Sequence, residues 1–94
     1  MPRLDDAGIA AALRELPGWK REGDAIVRTF RFPSFGDAVS FVDRLAPVCD
    51  ATDHHPDILI RYRRVTLTYS THSEGGITEK DVAGAKAATG LAEG

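Results

Sequence analysis

The segment Ile58–Tyr69, with the sequence ILIRYRRVTLTY, decides the fold. Its large apolar side chains recur at every second position in each half: Ile58, Ile60 and Tyr62, then Val65, Leu67 and Tyr69. Threonines occupy the alternate positions of the second half, a pattern that is typical of a half-buried antiparallel strand. The segment therefore predicts a β-hairpin whose turn lies at Arg63-Arg64.

A second hairpin is predicted upstream. Two short runs, 19–22 and 25–32, flank the dipeptide Gly23-Asp24, and glycine readily supplies the positive φ that a tight turn needs. Along the second run, Arg28 interrupts an apolar face. We expect its aliphatic stem to lie flat along that face.

Two helices are predicted near the ends of the chain. The first begins after Asp5, which caps it, and ends at Pro17-Gly18. The last begins at Thr78, with Asp81 three residues on as its capping partner. Its small inward residues predict a close approach to the sheet.

The longest predicted helix begins after Ser34, which has Asp37 three residues on as its capping partner. It ends before His55, because Pro56 disfavours helical geometry in the residue that precedes it. Pro47 is expected to bend or interrupt its last turns. One apolar stripe is expected to face the sheet, with a second beside it: Phe35, Val39, Val42, Ala46 and Cys49, then Ala38, Phe41, Leu45 and Val48.

The element order αββαββα predicts an α+β fold, a two-layer domain with a four-stranded antiparallel sheet and helices on one face. Ninety-four residues suffice for one domain and not for two, so residues 1–94 are interpreted as a single domain. With 43% apolar and 28% charged residues, the composition is that of a folded globular chain.

Charge and cysteine content limit the classes of function. The formal net charge is −2, which argues against a nucleic-acid partner, and the only basic cluster, 61–64, is interpreted as a solvated hairpin end. The single cysteine excludes an intrachain disulfide. No apolar run approaches the length of a membrane span, so we expect no membrane association and a cytoplasmic location.

Three histidines lie at predicted element boundaries. His54 and His55 follow the long helix, and His72 follows the last strand. Histidine gives and takes protons near neutral pH, so this placement indicates proton transfer. Pro56 makes the backbone at His55 rigid, and neighbouring aspartates are positioned to orient a ring. The glycine pair 75–76 is expected to leave backbone amides exposed.

Metal and nucleophile chemistry are the competing hypotheses. Zinc sites favour spacings that place two ligands on one side of a turn, whereas the adjacent His54 and His55 do not converge easily. A Ser-His-Asp triad with Ser70 or Ser73 would require a nucleophile elbow, which this sequence lacks. We therefore expect neither a metal nor another cofactor.

Two stretches resemble the pterin-4a-carbinolamine dehydratase family over roughly Leu4 to Ala88. The signature is Asp50-x-x-x-His54-His55-Pro56-Asp57, then Tyr62, then Ser70-Thr71-His72-x-x-Gly75-Gly76-Ile77-Thr78-x-x-Asp81. The N-terminal half is similar at the Trp19 hairpin and at Asp24-Ala25-Ile26-Val27-Arg28-x-Phe30-x-Phe32. The family's αββαββα order agrees with the one predicted here.

This resemblance implies that the chain dehydrates a 4a-hydroxytetrahydropterin to quinonoid dihydropterin, which recycles the pterin of aromatic amino acid hydroxylases. It implies His54, His55 and His72 as the acid–base set. The implied substrate-binding residues are Pro56, Asp57, Ser70, Thr71 and Asp81. A homodimer or homotetramer is implied as well.

Similar domains also serve as a dimerisation cofactor of a hepatocyte transcription factor and as Rubisco assembly chaperones. A non-catalytic module of this kind is the alternative. Two positions depart from the family pattern, since Asp53 and Arg63 stand where asparagine is common. Neither departure removes a proposed acid or base, so they bear on rate and substrate preference.

Overall fold

The computed structural model describes residues 2–93 and confirms the predicted order of elements. The helices are α1 (Asp6–Arg14), α2 (Phe35–Thr52) and α3 (Glu79–Glu93). The strands are β1 (Lys20–Glu22), β2 (Ala25–Arg31), β3 (Asp57–Arg61) and β4 (Arg64–Tyr69). A short 3₁₀ turn that was not predicted, His72–Glu74, follows β4.

The four strands form one antiparallel sheet in the order β1-β2-β4-β3. Each hairpin pairs within itself, and the two hairpins join through β2 and β4, with registers running from Ile26↔Tyr69 to Arg31↔Arg64. The long strands of the two hairpins therefore occupy the centre, while β1 and β3 form the edges.

The core lies on one face of this sheet, where the helices pack. Phe30 of β2 meets Phe41 of α2 with their ring centroids 5.1 Å apart, and neither side chain is exposed by more than a few per cent. On the opposite face, the hydroxyls of Thr29 and Thr66 form a 2.8 Å hydrogen bond across neighbouring strands. The prediction of an α+β fold with a bare second sheet face is confirmed.

Side-chain oxygens cap two helices as predicted. The Gly8 amide donates to Asp5 Oδ1 over 2.7 Å at α1, and the Asp37 amide donates to Ser34 Oγ over 3.1 Å at α2. These bonds satisfy backbone donors that have no partner inside the helix.

Two expectations for α2 need correction. The stripe that reaches the core is the one predicted beside the main stripe (Ala38, Phe41 and Leu45, joined by Cys49), whereas Phe35 and Val39 are exposed. Pro47 also does not interrupt the helix, which continues to Thr52. Both Pro47 and Asp43, the residue four positions before it, are exposed, so the hydrogen bond that proline removes lies on the solvent side.

The turn of the second hairpin was also mispredicted by one residue. Arg61 pairs with Arg64, so the turn is Tyr62-Arg63, and Tyr62 takes a left-handed φ of 56°. The alternation of apolar residues decides this register, because a slip of one residue would move Val65 and Leu67 to the bare face.

Close packing of α3 against β4 requires a glycine at position 84. A Cβ there would lie 2.5 Å from Tyr69 Cε1 and 2.7 Å from Tyr69 Cζ, and Tyr69 is fully buried. We expect Gly84→Ala to destabilise the protein by about 1–3 kcal/mol through overpacking. Gly90→Ala on the same helix is the matched control, since its Cβ would meet nothing within 4 Å.

The control substitution should stabilise α3 by up to about 1 kcal/mol, because alanine has the higher helix propensity. Denaturant unfolding of both variants measures these changes. Equal stability of the two variants would contradict the close contact between α3 and Tyr69.

Self-association is expected at the exposed edge strand β3. Ile58 and Leu59 of this strand are 41% and 53% exposed, and an apolar unpaired edge invites pairing with another strand. Sedimentation at micromolar concentration should give a species heavier than the 10.2 kDa chain. Leu59→Lys should weaken the association, whereas Ala10→Lys on the exposed side of α1 should not. A purely monomeric wild type would refute the expectation.

Candidate active site

The three histidines lie at one end of the sheet. His54 and His55 connect the end of α2 to the start of β3, and His72 opens the 3₁₀ turn after β4. Because β3 and β4 are antiparallel, the start of β3 and the end of β4 share the same end of the sheet. The topology thus brings together segments that lie 17 residues apart in the chain.

His54 points inward and is held on two sides. Its Nε2 lies 2.6 Å from Asp81 Oδ1, and its ring stacks on Tyr69 with the centroids 5.9 Å apart. The His54 side chain is only 13% exposed and that of Asp81 is 0% exposed. A carboxylate can only accept, so the Nε2 atom carries the hydrogen and the neutral ring has its lone pair on Nδ1.

Asp81 is the centre of a buried polar network. Its Oδ2 accepts from the Thr71 hydroxyl over 2.8 Å and from the Thr78 amide over 2.9 Å. The Thr71 and Thr78 hydroxyls lie 2.8 Å apart, and the Thr78 hydroxyl accepts from the Lys80 amide. Since Thr71 donates to Asp81, the Thr78 hydroxyl donates to Thr71. One carboxylate therefore anchors the start of α3, the end of β4 and the His54 ring.

This shared carboxylate fixes the relation between the two histidine segments. His54 and Thr71 both bond to Asp81, and each is one residue away from a further histidine, His55 and His72 respectively. The predicted capping role of Asp81 accounts for the Thr78 amide alone. Its bond to a histidine 27 residues away has no signal in the sequence.

His55 points away from this network. Its Nε2 lies 2.9 Å from Asp50 Oδ1, and both side chains are largely exposed. The two neighbouring imidazoles are thus held by carboxylates on different helices, Asp50 of α2 and Asp81 of α3. His72 is exposed, and within residues 2–93 its side chain forms no hydrogen bond.

Three further candidate residues differ in their exposure and contacts. Pro56 is half-buried, and Asp57 is exposed at the start of β3. The Ser70 hydroxyl donates to the Asp24 carbonyl over 2.7 Å, so it is turned toward the other hairpin.

The expectation of free glycine amides after β4 is wrong. The Gly75 amide donates to the His72 carbonyl and the Gly76 amide donates to the Thr71 carbonyl. These bonds close the 3₁₀ turn and fix the backbone on which His72 is carried.

An apolar cavity of about 260 Å³ adjoins His54. It lies between α2 and α3, and its walls include Cys49, His54, Tyr69 and Gly84, with Lys80 and Glu79 among its polar residues. Neither His55 nor His72 lines it. The cavity therefore gives access to one face of the buried histidine, and the other two imidazoles open to the surface.

The Tyr69 hydroxyl and the Cys49 thiol in the cavity wall are neutral near physiological pH. Burial raises the pKa of the Tyr69 hydroxyl, and the adjacent Cys49 thiol and the Asp81 carboxylate act in the same direction. Burial also raises the pKa of Cys49, with a smaller opposing effect from its bond to Tyr69. Neither group is therefore an anionic nucleophile near neutral pH.

These raised pKa values predict a loss of stability at alkaline pH. The stability contributed by neutral Tyr69 is fully present below the unfolded pKa of about 10 and is lost as the pH rises toward the higher folded pKa. Tyr69→Phe should therefore lose less stability than the wild type between about pH 9 and pH 11. Tyr62→Phe, which changes an exposed tyrosine, should behave as the wild type. Parallel stability curves for all three proteins would contradict this assignment.

Two kinds of feature are absent from the described residues. Within 2–93, no group of three or more His, Cys, Asp or Glu side chains is arranged to hold a metal ion. In the same range, no helix combines the length and apolar character needed to cross a membrane.

Comparison with known proteins places the chain in a family. Residues 2–91 match the family model described as pterin 4 alpha carbinolamine dehydratase. A protein of Thermomicrobium roseum with the provisional name pterin-4-alpha-carbinolamine dehydratase is 54% identical over 92 residues, which cover 98% of this chain and 99% of the relative. A protein of Mycobacteroides abscessus with the same provisional name is 54% identical over 88% of both chains.

Two solved structures share the fold. A transcriptional coactivator/pterin dehydratase from Brucella melitensis superimposes with a TM-score of 0.93 at 38% identity, covering 96% of this chain and 98% of the other. A pterin dehydratase-like protein identified as a RuBisCO assembly factor in the alpha-carboxysome gives 0.68 at 27% identity, covering 80% and 89%. From its family match, its close relatives and its fold, the chain belongs to the pterin-4a-carbinolamine dehydratase family.

Proposed function

We propose that this protein dehydrates a 4a-hydroxytetrahydropterin to quinonoid dihydropterin and water, with His54, His55 and His72 as proton donors and acceptors. The observation that carries the proposal is the pair of carboxylate-held imidazoles, His54 on Asp81 and His55 on Asp50, beside an exposed third one. The family membership supplies the substrate class. Such a reaction recycles the pterin that aromatic amino acid hydroxylases use.

The reaction needs two proton transfers. The C4a–O bond breaks as the departing hydroxyl takes up a proton, and the proton on N5 is removed as the C4a–N5 double bond forms. Each transfer suits an imidazole, and a well-placed acid or base contributes about 10²–10⁴-fold. No electron transfer is involved, so the step requires no redox cofactor.

The carboxylates support a division of these roles. Because Asp81 and Asp50 accept from Nε2, His54 and His55 present Nδ1 lone pairs when neutral, which suits proton acceptors. His72 has no such constraint and is exposed to solvent, which suits a proton donor that is recharged from water. We assign removal of the single N5 proton to His54 and protonation of the hydroxyl to His72, with His55 as a further acid–base group at the substrate.

The other implied site residues divide into two groups. Pro56, Asp57 and Ser70 lie at the same end of the sheet as the histidines, and we assign Pro56, Asp57 and the Ser70 backbone to contact with the flat pterin ring. Thr71 and Asp81 are buried and bonded to one another, so we assign them to positioning His54 and not to substrate contact. The single cysteine is consistent with work in the reducing cytoplasm.

A dehydration assay on chemically generated 4a-carbinolamine tests the proposal. Protein that has been dialysed against a strong chelator should accelerate formation of the quinonoid product without added metal. The absorbance of that product measures the rate. The divergent orientation of His54 and His55, toward carboxylates on different helices, is the reason to expect metal-independence. Activity that disappears with chelation and returns with zinc would assign the histidines to a different task.

A non-catalytic interaction module is the second candidate. Exposed Phe35 and Val39 on α2, together with the β3 edge, favour a role in binding another chain. A structural relative is described as a RuBisCO assembly factor. Absence of any rate above the uncatalysed reaction in the same assay would favour this module over the enzyme.

A further inference from the structure

Three arginines form a continuous row across the bare face of the sheet. Arg64 of the central strand β4 is the register partner of Arg31 in β2 and of Arg61 in β3. Directly opposed residues point to the same face, with strands about 4.8 Å apart. The row is therefore roughly 10 Å long and is carried by three strands of one rigid sheet. The sequence hides it, because Arg31 is distant from the 61–64 cluster in the chain.

These arginines lack acidic partners. Among residues 2–93, no carboxylate lies within ion-pair distance of Arg31, Arg61, Arg63 or Arg64. Like charges placed directly opposite one another on a sheet are destabilising. This concentration of positive charge occurs on a chain whose formal net charge is −2.

An exposed aromatic ring stands at the end of the row. Tyr62 is 70% exposed and has a left-handed φ of 56°, a conformation that a bulky residue adopts at a cost. The Arg63 guanidinium lies 5.8 Å from the centroid of its ring. A concavity of about 410 Å³ is lined by Arg31, Phe32, Tyr62, Arg63 and Arg64. A smaller one, of about 170 Å³, includes Arg61, Arg64 and the paired Thr29 and Thr66 hydroxyls.

We propose that this row is a binding site for the polyphosphate chain of a nucleoside triphosphate, with the Tyr62 ring available to stack on the base. Guanidinium groups bind phosphate oxygens bidentately, and a rigid line of three matches a linear polyanion better than a single carboxylate. Exposed aromatic rings beside arginines are typical surfaces for nucleobases.

The proposed site is separate from the histidine site. The row lies where β3 ends and β4 begins, whereas the histidines flank the opposite ends of the same strands. A five-residue strand extends over roughly 13 Å, so a ligand on the arginines leaves the histidines free. The proposal consequently does not depend on the dehydration reaction.

Calorimetric titration of the full chain with ATP and with inorganic triphosphate tests the site. Both ligands should bind, more weakly as salt is raised. Arg64→Gln, at the centre of the row, should weaken both by about tenfold or more. Tyr62→Leu should weaken ATP several-fold and leave triphosphate unchanged. Arg14→Gln, which removes the same charge from an exposed position of α1, should change neither.

Weaker binding by Arg64→Gln cannot be attributed to misfolding, because relief of like-charge repulsion should raise the Tm of this variant. That variant should also keep the wild-type dehydration rate. No heat of binding at millimolar ATP would overturn the proposal, as would equal weakening by Arg64→Gln and Arg14→Gln. If a single-stranded oligonucleotide binds about 100-fold more tightly than ATP, the row is a nucleic-acid binding surface and the nucleotide assignment is wrong.

Discussion

Replacement of His72 by alanine is expected to slow the dehydration by about 10²-fold or more, because it removes the proposed general acid. That loss corresponds to roughly 3 kcal/mol of barrier. The side chain is exposed and forms no hydrogen bond within residues 2–93, so the free energy of unfolding should change by about 1 kcal/mol or less. His55→Ala should likewise fold normally, with a lower rate or a raised KM.

His54 requires a different substitution, because its ring satisfies a buried carboxylate. His54→Ala would leave Asp81 without one of its donors, at a cost of about 1–3 kcal/mol. His54→Gln keeps an N–H donor in reach of Asp81 but cannot accept a proton at neutral pH. We therefore expect this variant to retain most of the stability and to lose about 10²-fold in kcat.

The measurements are kcat and KM in the carbinolamine assay, paired with denaturant unfolding and sedimentation of each variant. Folded variants at all three positions with wild-type rates would eliminate the proposed mechanism. An interaction module predicts a distinct pattern, in which all three variants bind a partner chain normally and the wild type has no dehydration rate to lose.

Asp81→Asn is expected to have the second large effect, and it should act mainly on the rate. Asp81 Oδ2 accepts from Thr71 and from the Thr78 amide, so the asparagine oxygen must take that position. Its NH₂ group then faces His54 Nε2 and requires an acceptor there, which drives the ring to the tautomer protonated on Nδ1. The Nδ1 lone pair is lost, and kcat should fall by about 10²-fold or more.

The free energy of unfolding distinguishes a loss of kcat caused by the wrong His54 tautomer from one caused by a disrupted structure. Asp81→Ala deletes an acceptor shared by three buried donors and should destabilise the protein by about 3 kcal/mol or more. Asp50→Asn, on the exposed carboxylate that holds His55, should alter the free energy of unfolding by less than about 1 kcal/mol. A wild-type kcat in Asp81→Asn would mean that the Asp81–His54 pair is purely structural.

Local patterns in the sequence predicted most of the architecture. The period-two alternation of Val65, Leu67 and Tyr69 specifies which face of β4 is buried, and Asp5 and Ser34 cap helices as expected. These signals act between residues that are near neighbours in the chain, so they are visible in one dimension. The turn at Tyr62-Arg63 and the buried stripe of α2 were mispredicted, because each depends on how strands pair or how the helix packs on the sheet.

The sequence by itself determined the class of fold and the family, and it singled out three histidines as candidate site residues. Only the tertiary structure decided which distant residues meet. His54 contacts Asp81, the Tyr69 ring packs against Gly84, and Arg31 lies beside Arg64. Each of these contacts joins residues 15 or more positions apart. Such hydrogen bonds and close contacts form only when the helices have packed on the sheet. No local periodicity in the sequence therefore predicts them.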